Sequence, residues 1–335
     1  CRSLLDRALA IKEQELGRQH LETANTLDRL GYVHIQLHDA TRGMELLRRS
    51  LMLKETELGP DCLEVAGTLD RLGYAYIQLG EIQHGMDLLV RALAIKEQEL
   101  GPQHLEVTTT LNRLGDAYVQ LGQPARGKDF LEKAVAIREE ALGPEHLQVA
   151  VSLDRLGHAH VQTGDLESAR DILERSLVIK ELDLGPEHLD LASTLDLLGS
   201  TDAQLGDLIS GMNHLSRALA IKETELGPEH VEVACTLDLL SSAHLQLGDV
   251  ARCRDLLLQA LVIREEELGP EHLEVARTLD VLGDAHIQLG DATQGKHLLR
   301  RALLTKERAL GLKHLEVALT LDRIGFADVQ FGDAE

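Results

Sequence analysis

A Leu-Gly dipeptide recurs along this chain at Leu16-Gly17, Leu58-Gly59, Leu100-Gly101, Leu142-Gly143, Leu184-Gly185, Leu226-Gly227, Leu268-Gly269 and Leu310-Gly311, always 42 residues apart. Residues 268–291, LGPEHLEVARTLDVLGDAHIQLGD, carry the fullest version of the words around it. A period of roughly 20–50 residues marks a unit that cannot bury its own apolar face and must stack on its neighbours. The register runs unbroken through all 335 residues. The expectation is therefore a single elongated repeat domain, 1–335, rather than separate cores.

Residues 60–101 serve as the type unit. Leu63, Ala66, Leu69, Leu72, Gly73 and Tyr76 recur at steps of three and four, which places them on one face of a helix over about 63–79, helix A. The turn Gly80-Glu81 follows, with Gly122-Gln123, Gly164-Asp165, Gly206-Asp207, Gly248-Asp249 and Gly290-Asp291 in the same place. Glycine ends helix A and the usual Asp caps helix B. Helix B carries Leu88, Leu89, Ala92, Leu93 and Ile95, and Leu100-Gly101-Pro102 stops it. Its outer face spaces Glu45/Arg49, Asp87/Arg91, Asp129/Lys133 and Asp171/Arg175 as i, i+4 ion pairs.

Small residues decide how the helices meet. Helix A keeps Gly31, Gly73, Gly115, Gly157, Gly199, Gly283 and Gly325, with Ser241 as the exception, and helix B answers with Gly43, Gly85, Gly127, Ala169, Gly211, Cys253 and Gly295. Glycine inside a helix costs about 1 kcal/mol relative to Ala, so the columns call for close approach of the two axes. Only 2% of residues are aromatic and Trp is absent, leaving Leu, Val, Ile and Ala to build the interior. The reading is an all-α, right-handed solenoid of seven complete helix pairs with one unpaired helix at each end, part of a longer array. The unpaired helices would expose Leu5, Leu9, Leu321 and Ile324, an end-to-end self-association surface.

Net charge of -22 argues against nucleic acid, which needs clustered Lys and Arg. No run of about 18 apolar residues is present for membrane insertion. Cys1, Cys62, Cys235 and Cys253 occupy unrelated columns without a CxxC pair, so they read as buried or half-buried thiols of a reducing, cytoplasmic compartment. One histidine column, His20, His104, His146, His188, His230, His272 and His314, steps one repeat at a time. Packed helices stand on the order of 10 Å apart, too far to share a metal ion, so the column reads as a loop-to-helix cap. His158 and His160 face different ways. No GxSxG, HExxH, Walker or GxGxxG pattern occurs, and neither enzyme activity, a cofactor nor a metal is expected.

The order Leu-Gly, Tyr or His, a Gly-Asp turn, a small residue and a large apolar residue before Ala resembles the tetratricopeptide repeat along the whole chain. The A-[IL]-x-[IL]-[KR]-E and L-G-P-[ED]-H words, at 94–97 and 142–146 among other places, are similar to the 42-residue repeats of kinesin light chain and nephrocystin-3. The resemblance implies a concave groove lined by helix A that receives a peptide or helix. Its columns would be Asp28, Asp70, Asn112, Asp154, Asp196, Asp238 and Asp280; Gln36, Gln78, Gln120, Gln162, Gln204, Gln246 and Gln288; and Arg29, Arg71, Arg113 and Arg155. Two further columns vary, one running from Asn25 to Arg277 and the other through Tyr32, Tyr74, Asp116, His158 and Asp284. Variation on one surface reads equally as a specificity surface and as unconstrained drift.

Kinesin light chain usually has paired Asn where this chain has Asp28-Arg29 and Asp70-Arg71. A row of open carboxylates would repel an acidic ligand, which points to a basic or neutral peptide; bridging of these Asp residues to Arg on adjacent repeats is the other reading. Two functions follow. One is a cytoplasmic adaptor that docks a partner in the groove; the other is a regulatory array attached to a nucleotide-binding or signalling module.

Overall fold

The computed structural model describes residues 2–37 and 39–331, and among them there are sixteen helices and no strand. Two compact units divide the chain at residues 179 and 180. The first contains α1 (Arg2–Glu15), α2 (Leu21–Gln36), α3 (Ala40–Leu58), α4 (Leu63–Gln78), α5 (Ile82–Leu100), α6 (Val107–Gln120), α7 (Pro124–Leu142), α8 (Leu147–Thr163) and most of α9 (Leu166–Leu184). The second contains the end of α9, then α10 (Asp190–Leu205), α11 (Leu208–Leu226), α12 (Val231–Gln246), α13 (Val250–Leu268), α14 (Leu273–Gln288), α15 (Ala292–Leu310) and α16 (Leu315–Phe331). Even-numbered helices are helix A and odd-numbered ones helix B. Each unit is a run of antiparallel A–B pairs, an α-solenoid.

The repeat words act as helix punctuation. In all seven histidines of the column, Nδ1 accepts the backbone N–H two residues on, at 3.1–3.2 Å, closing the N-terminus of helix A. Asp39, Asp207, Asp249 and Asp291 do the same for helix B, accepting the N–H three residues on. Gly59, Gly101 and their equivalents end helix B at φ near +90°, a conformation open to glycine without the cost a Cβ would bring. Between helices the core is aliphatic: Ala66, Leu69, Leu89 and Ala92 have no exposed surface, and burying one such Leu is worth about 1.5–3 kcal/mol.

The paired glycines meet backbone to backbone. A Cβ added at Gly73 would lie 2.8 Å from the Gly85 carbonyl oxygen and 2.9 Å from Leu89 Cγ; one added at Gly85 would lie 2.5 Å from the Gly73 carbonyl oxygen. Seven residues further along helix B, where most repeats carry Ala, a Ser hydroxyl donates to the opposing backbone, Ser50 to Ala24 O at 2.7 Å and Ser176 to Ala150 O at 3.0 Å. The repeat that breaks the helix A column breaks its partner too, with Ser241 and Cys253 both buried.

Three expectations are corrected. Among the described residues the outer arginines make no i, i+4 ion pair. Arg49, Arg91 and Arg175 reach the preceding helix B, meeting Glu13 at 2.7 Å, Glu55 at 2.7 Å and Glu139 at 2.6 Å, because the stacked B helices bring that column within reach of a long guanidinium. Leu5 and Leu9 are half-buried against Ala24 and Leu27, and Ile324 packs on Ile287 and Leu299, so of the four residues assigned to free ends only Leu321 is exposed. Cys235 is exposed, while Cys62 is half-buried and Cys253 buried; Cys1 lies outside the described residues.

Gly325 on α16 has nothing within 4 Å of an added Cβ, which supplies an internal control. Gly73→Ala is expected to lower stability by about 1–3 kcal/mol through overpacking, whereas Gly325→Ala gains helix propensity of up to about 1 kcal/mol. Urea unfolding followed by circular dichroism reads both; equal effects of the two substitutions would refute the close-approach account.

Candidate functional site: the helix A face

The face assigned to ligand binding is built on a charged layer that begins beneath it. Helix B contributes Lys54, Lys96, Arg138, Lys180, Lys222, Arg264 and Lys306, one per repeat and all buried. Five of their heads reach the Asp column of their own repeat: Lys54 to Asp28 at 3.7 Å, Lys96 to Asp70 at 3.3 Å, Lys222 to Asp196 at 2.6 Å, Arg264 to Asp238 at 2.5 Å and Lys306 to Asp280 at 3.0 Å. The same heads donate to a threonine on the next helix A, as Lys96 does to Thr110 Oγ1 at 2.8 Å and Lys306 to Thr320 Oγ1 at 3.1 Å. Burial pushes the Lys54 ammonium below its ordinary range, while Asp28 beside it works the other way.

A second cation closes three of these clusters. Arg71 pairs with Asp28, Arg113 with Asp70 at 2.9 Å and Arg323 with Asp280 at 2.9 Å, each from the next helix A. Asp28, Asp70 and Asp280 are only 4–6% exposed. No open row of carboxylates therefore exists at these repeats, and the expected preference for a basic or neutral ligand loses its physical ground there. Asp154 accepts from Ser176 Oγ at 2.5 Å, and Asp196 and Asp238 are half-buried.

What the face offers to solvent is different in the two units. In the first, the arginines stand on tyrosines, Arg71 over Tyr32 at 5.6 Å and Arg113 over Tyr74 at 4.9 Å. In the second, the equivalent positions are Leu197, Leu239 and Val281 before Arg323. Two cavities open on the first unit. One of about 350 Å³ unites Tyr32, Leu63, Gly67, Asp70, Arg71, Lys96, Glu106, Thr109 and Arg113. Another of about 210 Å³ unites Tyr32, Gln36, Tyr74, Thr109, Asn112, Arg113, Arg138, Val151 and Arg155. In the second unit a cavity of about 470 Å³ lies between α14 and α16, lined by Asp284, Ile287, Gln288, Asp322, Arg323, Phe326 and Gln330.

Several assigned residues stand outside these three cavities. The glutamines at 78, 120, 162, 204 and 246 are exposed along the face. Asn25 is half-buried and Arg29 exposed, and Arg277 is held by Glu274 and Glu316 at 2.5 and 2.8 Å. His158 is half-buried and burial lowers its pKa; His160 is buried elsewhere, 2.9 Å from Asp165. Among the described residues no group of three or more His, Cys, Asp or Glu side chains is placed to hold a metal ion, and no helix is long and apolar enough to cross a membrane.

Lys96, Arg138 and Glu106 are absent from the sequence-derived groove. The basic column was visible, since Lys or Arg recurs every 42 residues inside the A-[IL]-x-[IL]-[KR]-E word on an otherwise apolar stripe. A cation fixed on a buried face calls for a buried counter-charge, and the Asp column supplies it.

Family models described as tetratricopeptide repeat match residues 64–140, 106–182 and 232–303, and a second such model matches 191–232. The chain belongs to the tetratricopeptide repeat family. No curated protein sequence matches it. Among solved structures, a kinesin light chain-type protein of Podosopora anserina with nearly identical TPR-like repeats is 23% identical at a TM-score of 0.53, covering 61% of this chain and 97% of its own. The apo form of RapI is 16% identical at a TM-score of 0.65, covering 85% and 98%. The Rap conjugation gene regulator of plasmid pLS20, in complex with the Phr* peptide, is 15% identical at a TM-score of 0.60, covering 88% and 78%. At these identities the likeness is one of fold.

Two predictions follow from the charged layer of this tetratricopeptide array. Asp70→Asn leaves Lys96 and Arg113 without their shared carboxylate and is expected to cost about 3 kcal/mol; a change under about 0.5 kcal/mol in urea unfolding would show that the pair is dispensable. For His158, a lowered folded pKa means that the unfolded chain binds the proton more readily. Stability from this group is present above about pH 6.5 and is lost as pH falls through the lowered value. His158→Gln should flatten that part of the pH dependence, read as urea midpoints at pH 7.5 and 5.5.

Proposed function

We propose that this chain is a non-catalytic scaffold, a cytoplasmic adaptor of the kinesin light chain and nephrocystin-3 kind, whose helix A groove docks an extended peptide or a helix of a partner protein. The observation that carries the reading is the pair of cavities on the first unit. They share Tyr32, Thr109 and Arg113 and draw side chains from α2, α4, α6 and α8, so one extended ligand can lie across four successive repeats. Arginines stacked on tyrosines give that path flat apolar surface with fixed hydrogen-bond donors, the combination that recurs at protein interfaces. The pLS20 regulator, of the same fold, is seen with a peptide.

A side chain that fills the path tests the proposal. Thr109 is exposed and borders both cavities, so Thr109→Trp should abolish capture of a cytosolic partner while Glu132→Trp, on an exposed helix B position, leaves it intact. Partners held equally by both variants would place recognition away from helix A.

A further inference from the structure

We propose that Arg113, Arg138 and Arg155 form a carboxylate-binding site in the third repeat, which takes an Asp or Glu side chain of the docked peptide at the place where Asn112 replaces the column aspartate. The inference rests on the groove reading above and names the ligand chemistry at one point along it.

The repeat pattern shows what is missing. Five basic residues equivalent to Arg138 meet a carboxylate on their own helix A at 2.5–3.7 Å. Arg138 faces Asn112, whose amide is turned to Ser152 Oγ at 3.0 Å. The Arg138 guanidinium donates from Nε to Thr108 Oγ1 at 3.1 Å and from Nη1 to Gln148 O at 2.7 Å and Ser152 Oγ at 2.8 Å. All three acceptors are neutral, and among the described residues its two Nη2 protons take none. The residue is 7% exposed, so this is a buried cation without a counter-charge, the arrangement that costs most in a folded protein.

Two neighbouring guanidiniums border the same cavity, each with a carboxylate partner outside its lining. Arg155 in other repeats' terms would meet the column carboxylate; here it turns to Asp116. Burial lowers the pKa of Arg155, as does the adjacent Arg113. Arg113 is fixed by Asp70 and by the Tyr74 ring. The 210 Å³ cavity that these groups share is lined by three guanidiniums and no carboxylate, whereas the neighbouring 350 Å³ cavity includes Asp70 and Glu106. At 210 Å³ it falls below the roughly 300–1,000 Å³ of a small-molecule site and suits one side chain of a longer ligand. The chain's net charge of -22 does not oppose this, because charges beyond about 8 Å are screened at physiological salt. Guanidinium forks and a carboxylate make short, paired, charge-assisted hydrogen bonds.

Asn112→Asp supplies the missing carboxylate from within and restores the column, so the test does not depend on damaging the fold. Peptides are first selected from a random phage-displayed dodecamer library on the full chain. A selected peptide and its acid-to-amide version (Glu to Gln, or Asp to Asn) are then measured by fluorescence anisotropy on the wild-type chain and on N112D. The selected peptides should share an acidic residue at one fixed position, and its amide version should bind the wild type about tenfold to a hundredfold more weakly. N112D should bind the parent peptide as weakly as that, show no further loss with the amide version, and melt at or above the wild-type temperature. Selected peptides without a fixed acid, or an acid whose contribution survives in N112D, would overturn the site and leave the groove reading standing. Failure to select any peptide would overturn both.

Discussion

The approach of Gly73 to Gly85, and of the glycine pairs equivalent to it, is the constraint on which the rest depends. With carbonyl oxygens 2.5–3.1 Å from where a Cβ would stand, the two helices of a pair are as near as backbones permit, and each glycine gives up helix propensity to allow it. Proximity then sets reach. A lysine such as Lys96 is long enough to cross from helix B beneath helix A only because the axes are close, and its head emerges between Asp70 and Thr110. Packing geometry and charge placement are in this way a single arrangement.

The charged layer does something that apolar contacts cannot. Aliphatic side chains such as Leu69 and Leu89 contribute most of the burial, yet Leu against Leu tolerates sliding by a turn. Lys96 joins Asp70 of its own repeat to Thr110 of the next, and Arg113 returns from that next repeat to Asp70. A shift in the stacking of repeats would separate all three at once. Buried ion pairs are weak evidence for stability and better evidence for fixed register, and a solenoid of near-identical units is a fold in which register is the thing at risk.

Much of this was legible because repetition turns one chain into an alignment of itself. Helix limits, caps and the glycine contacts could be read from single words: LGPEH at 142–146 marks the stop at Gly143 and the cap at His146, and the structure holds both. The partners of the outer arginines were not legible. Arg91 lies four residues from Asp87 and 36 from Glu55, and local spacing favours the first; only the stacking of B helices, a three-dimensional fact, makes the second nearer. The Asp column could be read either as an open acidic surface or as bridged to Arg on the adjacent repeat, and was left undecided for a related reason. Exposure of Asp70 depends on what helix B sends up behind it, and helix B was read for its leucines rather than for its lysine.

The same repetition makes departures informative. When seven copies of a buried cation share a scaffold, a change in one partner alters charge without altering shape, and Asn112 beside Arg138 is such a change. Arg29, Arg71, Arg113 and Arg155 give way in the second unit to Leu197, Leu239 and Val281, although the helices that carry them are built alike. Backbone and core thus hold the surface constant while individual columns set its chemistry. A ligand meeting this face is sorted by the few positions where the repeat breaks its own rule, because the positions that obey the rule are already occupied with holding the repeats together.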